Sequence, residues 1–456
     1  MPAKTTLNHT NLKALGADRL ASLLLEVSTG NAGAQRRLRL ALAEANSPED
    51  LAKAVRKRLA TIARSTGRVS WRRKPALIDD LAAQHRAIAQ PVADNDPEQA
   101  FELLLRFLHV GDAVIGRTLG QADDVVSVFT AALDDFAGLA GRLDLSPDVV
   151  ADKLFELLDV NSYGQYDAIF SACSDLLGAT GFAQLKTRIH ALKDDGLPNG
   201  HLRWRIDATI ARYLRLIADA EGDVDAFMAA QTAAQQRLPM VAMENARRLQ
   251  GAERYVEALD ALDQATSDGS AEWAMLRTDL LLALGHDDAA RAFLQARFDE
   301  SLSPKLLRRY LKLLPDFDDL AAEKRALETA TNHPDCHQAI GFLLEWQAPA
   351  MAADVILARA DEIDGDRYEI LAPAAGLLGP THPLAATLLL RAMIEDTLSR
   401  SKRRRLSYIA KHFAHCRQLA ERIEDYQEWP PHDEFAANLR ARFARARKFW
   451  GLVGQS

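Results

Sequence analysis

Gly251-Ala-Glu-Arg-Tyr255-Val-Glu-Ala258-Leu259, which follows the apolar run Ala246 to Leu249, has a counterpart 34 residues later. There Leu282-Ala-Leu284-Gly285-His-Asp-Asp-Ala289-Ala290-Arg-Ala-Phe293 repeats the sense of it. A helix closes on Leu, a Gly turns the chain, and an Ala at the crossing lets a second helix lie antiparallel to the first. The stretch Met240 to Leu314 therefore predicts paired helices stacked in sequence. Gly222-Asp-Val-Asp-Ala226-Phe227, 29 residues before Gly251, reads as a weaker third copy.

Outward from that stretch the chain keeps its helical character. Its 456 residues are 48% apolar, 26% charged and only 7% aromatic. That balance suits a folded, water-soluble protein rich in helix formers rather than sheet formers. Residues 1–90 read as a small helical unit. Ala17 to Val27 carries Leu20, Leu23, Leu24 and Val27 at helical spacing; Thr29-Gly30-Asn31 breaks the pattern, and Gln35 to Ala43 resumes it. Ser47-Pro48-Glu49-Asp50 is a helix start, with a hydroxyl cap, a Pro in the first turn and acids beside it. The helix that follows puts Leu51, Val55, Leu59 and Ile62 inward, with Lys53, Lys57 and Arg64 opposite. Gln90-Pro91 through Asp96-Pro97 reads as a linker, and Asp96 caps the next helix. Similar starts stand at Ser146-Pro147, Ser303-Pro304, His333-Pro334 and His382-Pro383. No alternating strand pattern is found. The expected divisions are a basic unit at 1–90, an acidic helical region at 91–200, and a repeat region at 201–456 with a basic end.

Charge follows the same divisions. Residues 31–90 hold 13 Lys and Arg against 5 Asp and Glu; residues 91–200 hold 7 against 18. Residues 201–399 hold 20 against 32, and 400–450 hold 13 against 6, so two basic ends flank an acidic middle. The most conspicuous clusters are Arg72-Arg73-Lys74 and Arg403-Arg404-Arg405, the latter preceded by Lys402. Cations at the helix start beside Pro75 oppose the helix dipole by about 0.3–1 kcal/mol each. Local stability does not account for them, which makes these six residues candidate contacts for an acidic partner or for the protein's own acids. Trp71 beside them serves either as a stacking platform for a base or as a cover over the helix start.

Other chemistries fare less well. The polar Met1–Thr6 start predicts no secretory signal. No run approaches the ~20 apolar residues of a membrane span; Phe101-Glu-Leu-Leu-Leu-Arg-Phe-Leu is broken by charge and reads as a core face. Cys173, Cys336 and Cys416 each join an apolar helical stripe, which predicts free core thiols and a cytoplasmic home. Gly111-Asp-Ala-Val-Ile-Gly116-Arg117-Thr118 has phosphate-loop spacing with Arg in place of Lys, but a helix rather than a strand precedes it. The triplets His333, Cys336, His337 and His412, His415, Cys416 share helix faces in a way zinc accepts, though neither offers four ligands. No nucleophile elbow, HExxH helix or Cys-x-x-Cys pair is present. The acids Asp123-Asp124 and Asp134-Asp135 read as solvated surface. No catalytic residue, cofactor or metal is assigned.

Thr6-Leu7-Asn8, Leu12-Lys13-Ala14-Leu15-Gly16, Arg37-Leu38-Arg39-Leu40 and Val55-Arg56-Lys57-Arg58-Leu59 carry a wider resemblance. So do Leu314-Pro315-Asp316-Phe317, Pro383-Leu-Ala-Ala-Thr-Leu-Leu-Leu-Arg391 and the closing Lys448-Phe449-Trp450. Together they resemble, over nearly the whole chain, a family of uncharacterised bacterial proteins known only as a domain of unknown function. That likeness brings no activity with it. Residues 220–315 also resemble tetratricopeptide repeats, which implies partner binding along a groove. The expectation is an all-α helical-hairpin array, a tetratricopeptide-like α-solenoid with a small N-terminal helical unit, acting as a cytoplasmic scaffold for an unidentified protein partner. The alternative is a nucleic-acid-associated protein that uses its two basic ends; a more remote one is a metal-dependent enzyme on a helical array.

Overall fold

The computed structural model describes residues 6–118, 120, 122–195 and 203–454. The start at Met1–Thr6 and the division expected at residue 200 fall largely outside that description. Among the described residues the protein is all-helical, without a strand; the one isolated bridge joins Val69 and Thr118. The chain divides into two compact units, Met1–Thr232 and Ala233–Ser456.

In the first unit the local start signals work as written. Ser47 accepts from Asp50 N, Asp96 from Gln99 N and Ser146 from Val149 N, so each orphan amide cluster is capped. The Pro48–Ala63 helix buries Leu51, Val55, Leu59 and Ile62. Pro97–His109 adds Phe101, Leu103, Leu104, Phe107 and Leu108, packed on Asp123–Arg142 through Phe107–Phe129 and Phe101–Phe136 ring contacts. The segment expected as a linker is not an exposed connector. It continues the Lys74–Ala87 helix as a π-turn at Ile88–Val92 and a short helix at Ala93–Asn95, with Ile88, Val92 and Ala93 buried. Pro91 has no amide to donate, which suits the wider turn. Outside this core the first helices are thinly covered. His9–Lys13 and Ala32–Asn46 bury no residue, and Ala17–Ser28 buries only Ser28.

Three helix pairs of the second unit share one turn. Glu253, Gly285 and Gln347 adopt left-handed backbone, with φ of 59°, 76° and 59°. The next amide in each case donates back to the carbonyl five residues earlier: Arg254 to Leu249 at 2.8 Å, His286 to Leu281 at 2.9 Å, Ala348 to Leu343 at 2.8 Å. Five residues beyond each turn stand Ala258, Ala290 and Ala352, and four further Leu262, Leu294 and Ile356; all six are fully buried. The equivalent turns are thus 32 and then 62 residues apart. This corrects the 34-residue pairing of Gly251 with Gly285: Gly251 ends the Pro239–Gly251 helix, and Glu253 occupies the turn. A left-handed Glu costs about 1–2 kcal/mol, which the helix-closing bond and the buried Ala crossing offset. Gly222, with φ of 70° and Asp223 N donating to Ala218 O at 2.8 Å, makes the same turn at the end of the first unit.

Successive helices pack on each other, and alternate ones also touch. Pro239–Gly251 meets Ala271–Ala283, which meets Pro304–Leu311; farther on Cys336–Glu345 meets Tyr368–Leu378, and Pro349–Ala358 meets Pro383–Ser399. Pro383–Ser399 is covered by Pro349–Ala358, Tyr368–Leu378 and Leu406–Ala420, and every residue from Leu384 to Arg391 is buried. A helix enclosed on all sides is apolar all round, which explains the run Leu384 to Leu390.

Candidate functional site

The six candidate cations separate into two kinds. Lys74 holds Asp124 at 2.9 Å, and Arg405 reaches Asp366 at 2.6 Å while lying over the Tyr368 ring at 4.5 Å. Arg72, Arg73, Arg403 and Arg404 are exposed and make no ion pair among the described residues. Asp366 is the hub that the sequence reading missed. Lys402 Nζ donates to it at 2.6 Å and to Asp396 at 3.0 Å, and Arg400 lies 3.3 Å away. The Lys402 and Arg405 hydrogen bonds draw the Asp366 carboxyl down to about 2. The connector carrying Asp366 is pinned from its other side by Asp335, which accepts from Arg367 Nη2 at 3.2 Å. Gly365 allows it to run against the Pro383–Ser399 helix, since a side chain there would collide with the Ala392 carbonyl. Much of the second basic cluster is therefore a clamp on the protein's own acids. Trp71 does not cover its helix start; it is 71% exposed, with the Arg72 guanidinium 5.1 Å over its ring.

Two of the acids expected to be solvated surface also pair with cations, Asp124 while remaining exposed and Asp135 while half-buried. Asp124 takes Lys74, and Asp135 takes His85 Nε2 at 2.6 Å.

The phosphate-loop spacing has another use here. Gly111–Gly116 is a short helix following the Pro97–His109 helix, so no loop of amides is presented. Side chains at Gly111 and Gly116 would strike the Tyr166 and Tyr163 hydroxyls, and Tyr166, fully buried, donates to Leu108 O. These glycines make room for tyrosines.

The first His/Cys triplet is rearranged. The helix expected at His333-Pro334 begins at Cys336, because Asp335 is the better cap: its Oδ1 accepts from His337 N at 2.8 Å and Gln338 N at 3.3 Å. Burial raises the Asp335 carboxyl, but these amides outweigh it and hold it below its ordinary range. Ligand atoms of Asp335, Cys336 and His337 do lie within 4.8 Å of one another. Each His337 nitrogen already has a task. Nε2 accepts from Asp364 N at 2.9 Å, which leaves the proton on Nδ1 to meet Asp335 Oδ1 at 3.2 Å. His333 Nδ1 accepts from Asp335 N at 3.1 Å. The group fastens the connector rather than presenting open ligands. In the second triplet, burial pushes the Cys416 thiol up to about 12 and, with His415 beside it, holds His412 below its ordinary value. Cys173 is likewise raised to about 12. All three cysteines are free and buried.

Arg391, 5% exposed, is a further residue that no spacing announced. It donates to Pro430 O at 2.8 Å and lies 4.4 Å over the Phe435 ring. No helix among the described residues is long and apolar enough to cross a membrane.

The outer surface carries isolated large apolar groups. In the second unit these are Leu238, Met240, Val256, Phe317, Leu320, Leu377 and Tyr408. Phe317 stands out: it is 85% exposed, its φ is 74°, and Asp316, Asp318 and Asp319 surround it in sequence. A bulky residue held left-handed is an uncommon conformation.

A model for a family of unknown function, DUF6880, matches residues 2–452, and the chain belongs to that family. A comparison with curated proteins finds no match.

Proposed function

We propose that this member of the family is a non-enzymatic scaffold in the cytoplasm, whose residues 233–456 form a tetratricopeptide-like array that holds a protein partner. One observation carries the reading: the turns at Glu253, Gly285 and Gln347, with Ala258, Ala290 and Ala352 buried five residues on, recur along the second unit. Stacked hairpins of that kind spend their apolar faces on one another and present a continuous outer surface. Phe317 and Leu320 among three aspartates suit an apolar spot ringed by cations on the partner. Arg72, Arg73, Arg403 and Arg404 are the cations left for an acidic contact.

Cross-linking in the native cell followed by mass spectrometry tests this. The expected result is a protein linked near residues 316–320 and lost with Phe317→Asp. Recovery of the chain linked only to itself, in wild type and variant alike, would count against the scaffold. Exposed Trp71 under Arg72 keeps the nucleic-acid reading as the second choice. That reading requires RNA binding that falls steeply with salt and disappears when Arg72, Arg73, Arg403 and Arg404 become Gln.

A further inference from the structure

The helices Ala32–Asn46 and Pro48–Ala63, together with Gln84 from Lys74–Ala87, line a pocket of about 490 Å³ in the first unit. Arg36 and Arg39 enter it from one helix, and Lys57, Arg58 and Thr61 from the other; no acid lines it. Behind the wall lies one buried carboxylate, Asp80. Arg58 donates Nε to Asp80 Oδ2 at 2.9 Å and Nη2 to the same oxygen, and Arg36 Nε stands 3.2 Å from it. These contacts fix two guanidiniums in place and offset one of four positive charges. Arg39 and Lys57 make no ion pair among the described residues. A fifth cation, Arg117, lies near enough that burial first and the Arg58 charge second hold it below its ordinary value. Cations crowded this way repel one another unless an anion joins them.

Gln84, which lines the pocket, carries an unpaired acceptor. Gln84 is 3% exposed, and its Nε2 faces Asp80 Oδ1 at 3.5 Å. Its Oε1 accepts no hydrogen bond among the described residues, a costly arrangement for a buried carbonyl. A bare oxyanion satisfies the cations but not this oxygen; a ligand with both an anionic group and a hydroxyl satisfies both.

We propose that this pocket binds a phosphate group accompanied by an O–H donor, either free hydrogen phosphate or a small phosphate monoester with a hydroxyl. Phosphate oxygens accept from Arg39, Lys57 and the outward N–H groups of Arg36 and Arg58, and the hydroxyl donates to Gln84 Oε1. The volume falls in the range of small-molecule sites and exceeds the needs of the bare ion. Sulfate has the shape and charge of phosphate but no O–H at neutral pH, so it leaves Gln84 unpaired and is rejected. This inference is independent of the scaffold reading.

Isothermal titration of the full chain at low ionic strength with inorganic phosphate, glycerol 3-phosphate and sulfate tests it. The expected result is one saturable site, with phosphate or its ester about tenfold tighter than sulfate. A tighter glycerol 3-phosphate identifies the ligand as an ester; equal or weaker binding identifies the free ion. Arg39→Gln with Lys57→Gln, both solvent-facing, should weaken binding about tenfold with an unchanged thermal melt. Gln84→Leu should bring phosphate and sulfate to similar affinities. Absence of saturable phosphate binding, equal sulfate binding by the wild type, or indifference to the Arg39/Lys57 pair would overturn the assignment. The last of these holds even if Gln84→Leu fails to fold.

Discussion

The helices Ala32–Asn46 and Pro383–Ser399 are of similar length, 15 and 17 residues, but the first buries no residue and the second buries all of Leu384 to Arg391. Both are rich in Leu and Ala. What differs is the company they keep. Pro383–Ser399 lies between neighbours that bury its whole circumference from Leu384 to Arg391. Ala32–Asn46 lies against Pro48–Ala63 with Leu38 and Leu40 half covered, Leu42 exposed, and Arg36 and Arg39 turned to a pocket. Burial is a property of the neighbours as much as of the helix. The second unit holds the fully enclosed helix, and the first begins with thinly covered helices that carry exposed cations.

Core truncation should show the contrast most strongly. Leu389→Ala, fully buried, should cost about 2–5 kcal/mol in chemical denaturation, whereas Leu42→Ala, 65% exposed, should stay within about 0.5 kcal/mol. Comparable losses would erase the distinction. Next in size is the hairpin crossing. Ala290→Leu overfills a closed contact and should cost about 1–3 kcal/mol, while Ala292→Leu on the exposed side of the same helix should be nearly neutral.

The turn gives a smaller, two-way effect. Gly285→Val forces a β-branched residue to φ of 76° and should cost about 1 kcal/mol or more, although nothing stands in the way of the side chain itself. At the equivalent position Gln347→Gly relieves a left-handed side chain and should gain up to about 1 kcal/mol, less the added freedom of the unfolded chain. If both substitutions move the melting temperature in the same direction, the two turns are not equivalent.

The sequence showed the local devices and hid the distant ones, for a physical reason. A cap such as Ser47 or Asp96 acts within three residues, and its spacing is visible in the chain. The Gly285 turn is legible because Gly advertises left-handed backbone; Glu253 and Gln347 adopt it without advertising it, so spacing between glycines gives 34 where the turns stand 32 apart. The all-helical fold and the buried stripes follow from periodicity. The partners of the cations do not: Asp366 lies 39 residues before Arg405, and Asp80 lies 22 after Arg58. No periodicity links such positions, so both basic clusters are visible in the chain while their clamped members are not.

That clamp predicts the smallest effect. The Asp366 carboxyl titrates near 2 in the folded protein against an ordinary 3.8. A lowered carboxyl contributes stability that is present above about 4 and lost as pH falls toward 2. Melting temperature followed across that window should drop less steeply in Asp366→Asn than in the wild type. An unchanged slope would show that Lys402 and Arg405 do not hold this carboxylate.

Hydrogen exchange on the intact protein tests the contrast between the two regions most directly. Amides of Pro383–Ser399 and of the paired helices around Gly285 should be the slowest to exchange, opening only with the unit as a whole. Those of Ala17–Ser28 and Ala32–Asn46 should exchange orders of magnitude sooner, and phosphate should slow Ala32–Asn46 selectively. Equal protection of Ala32–Asn46 and Pro383–Ser399 in the absence of any ligand would contradict the account.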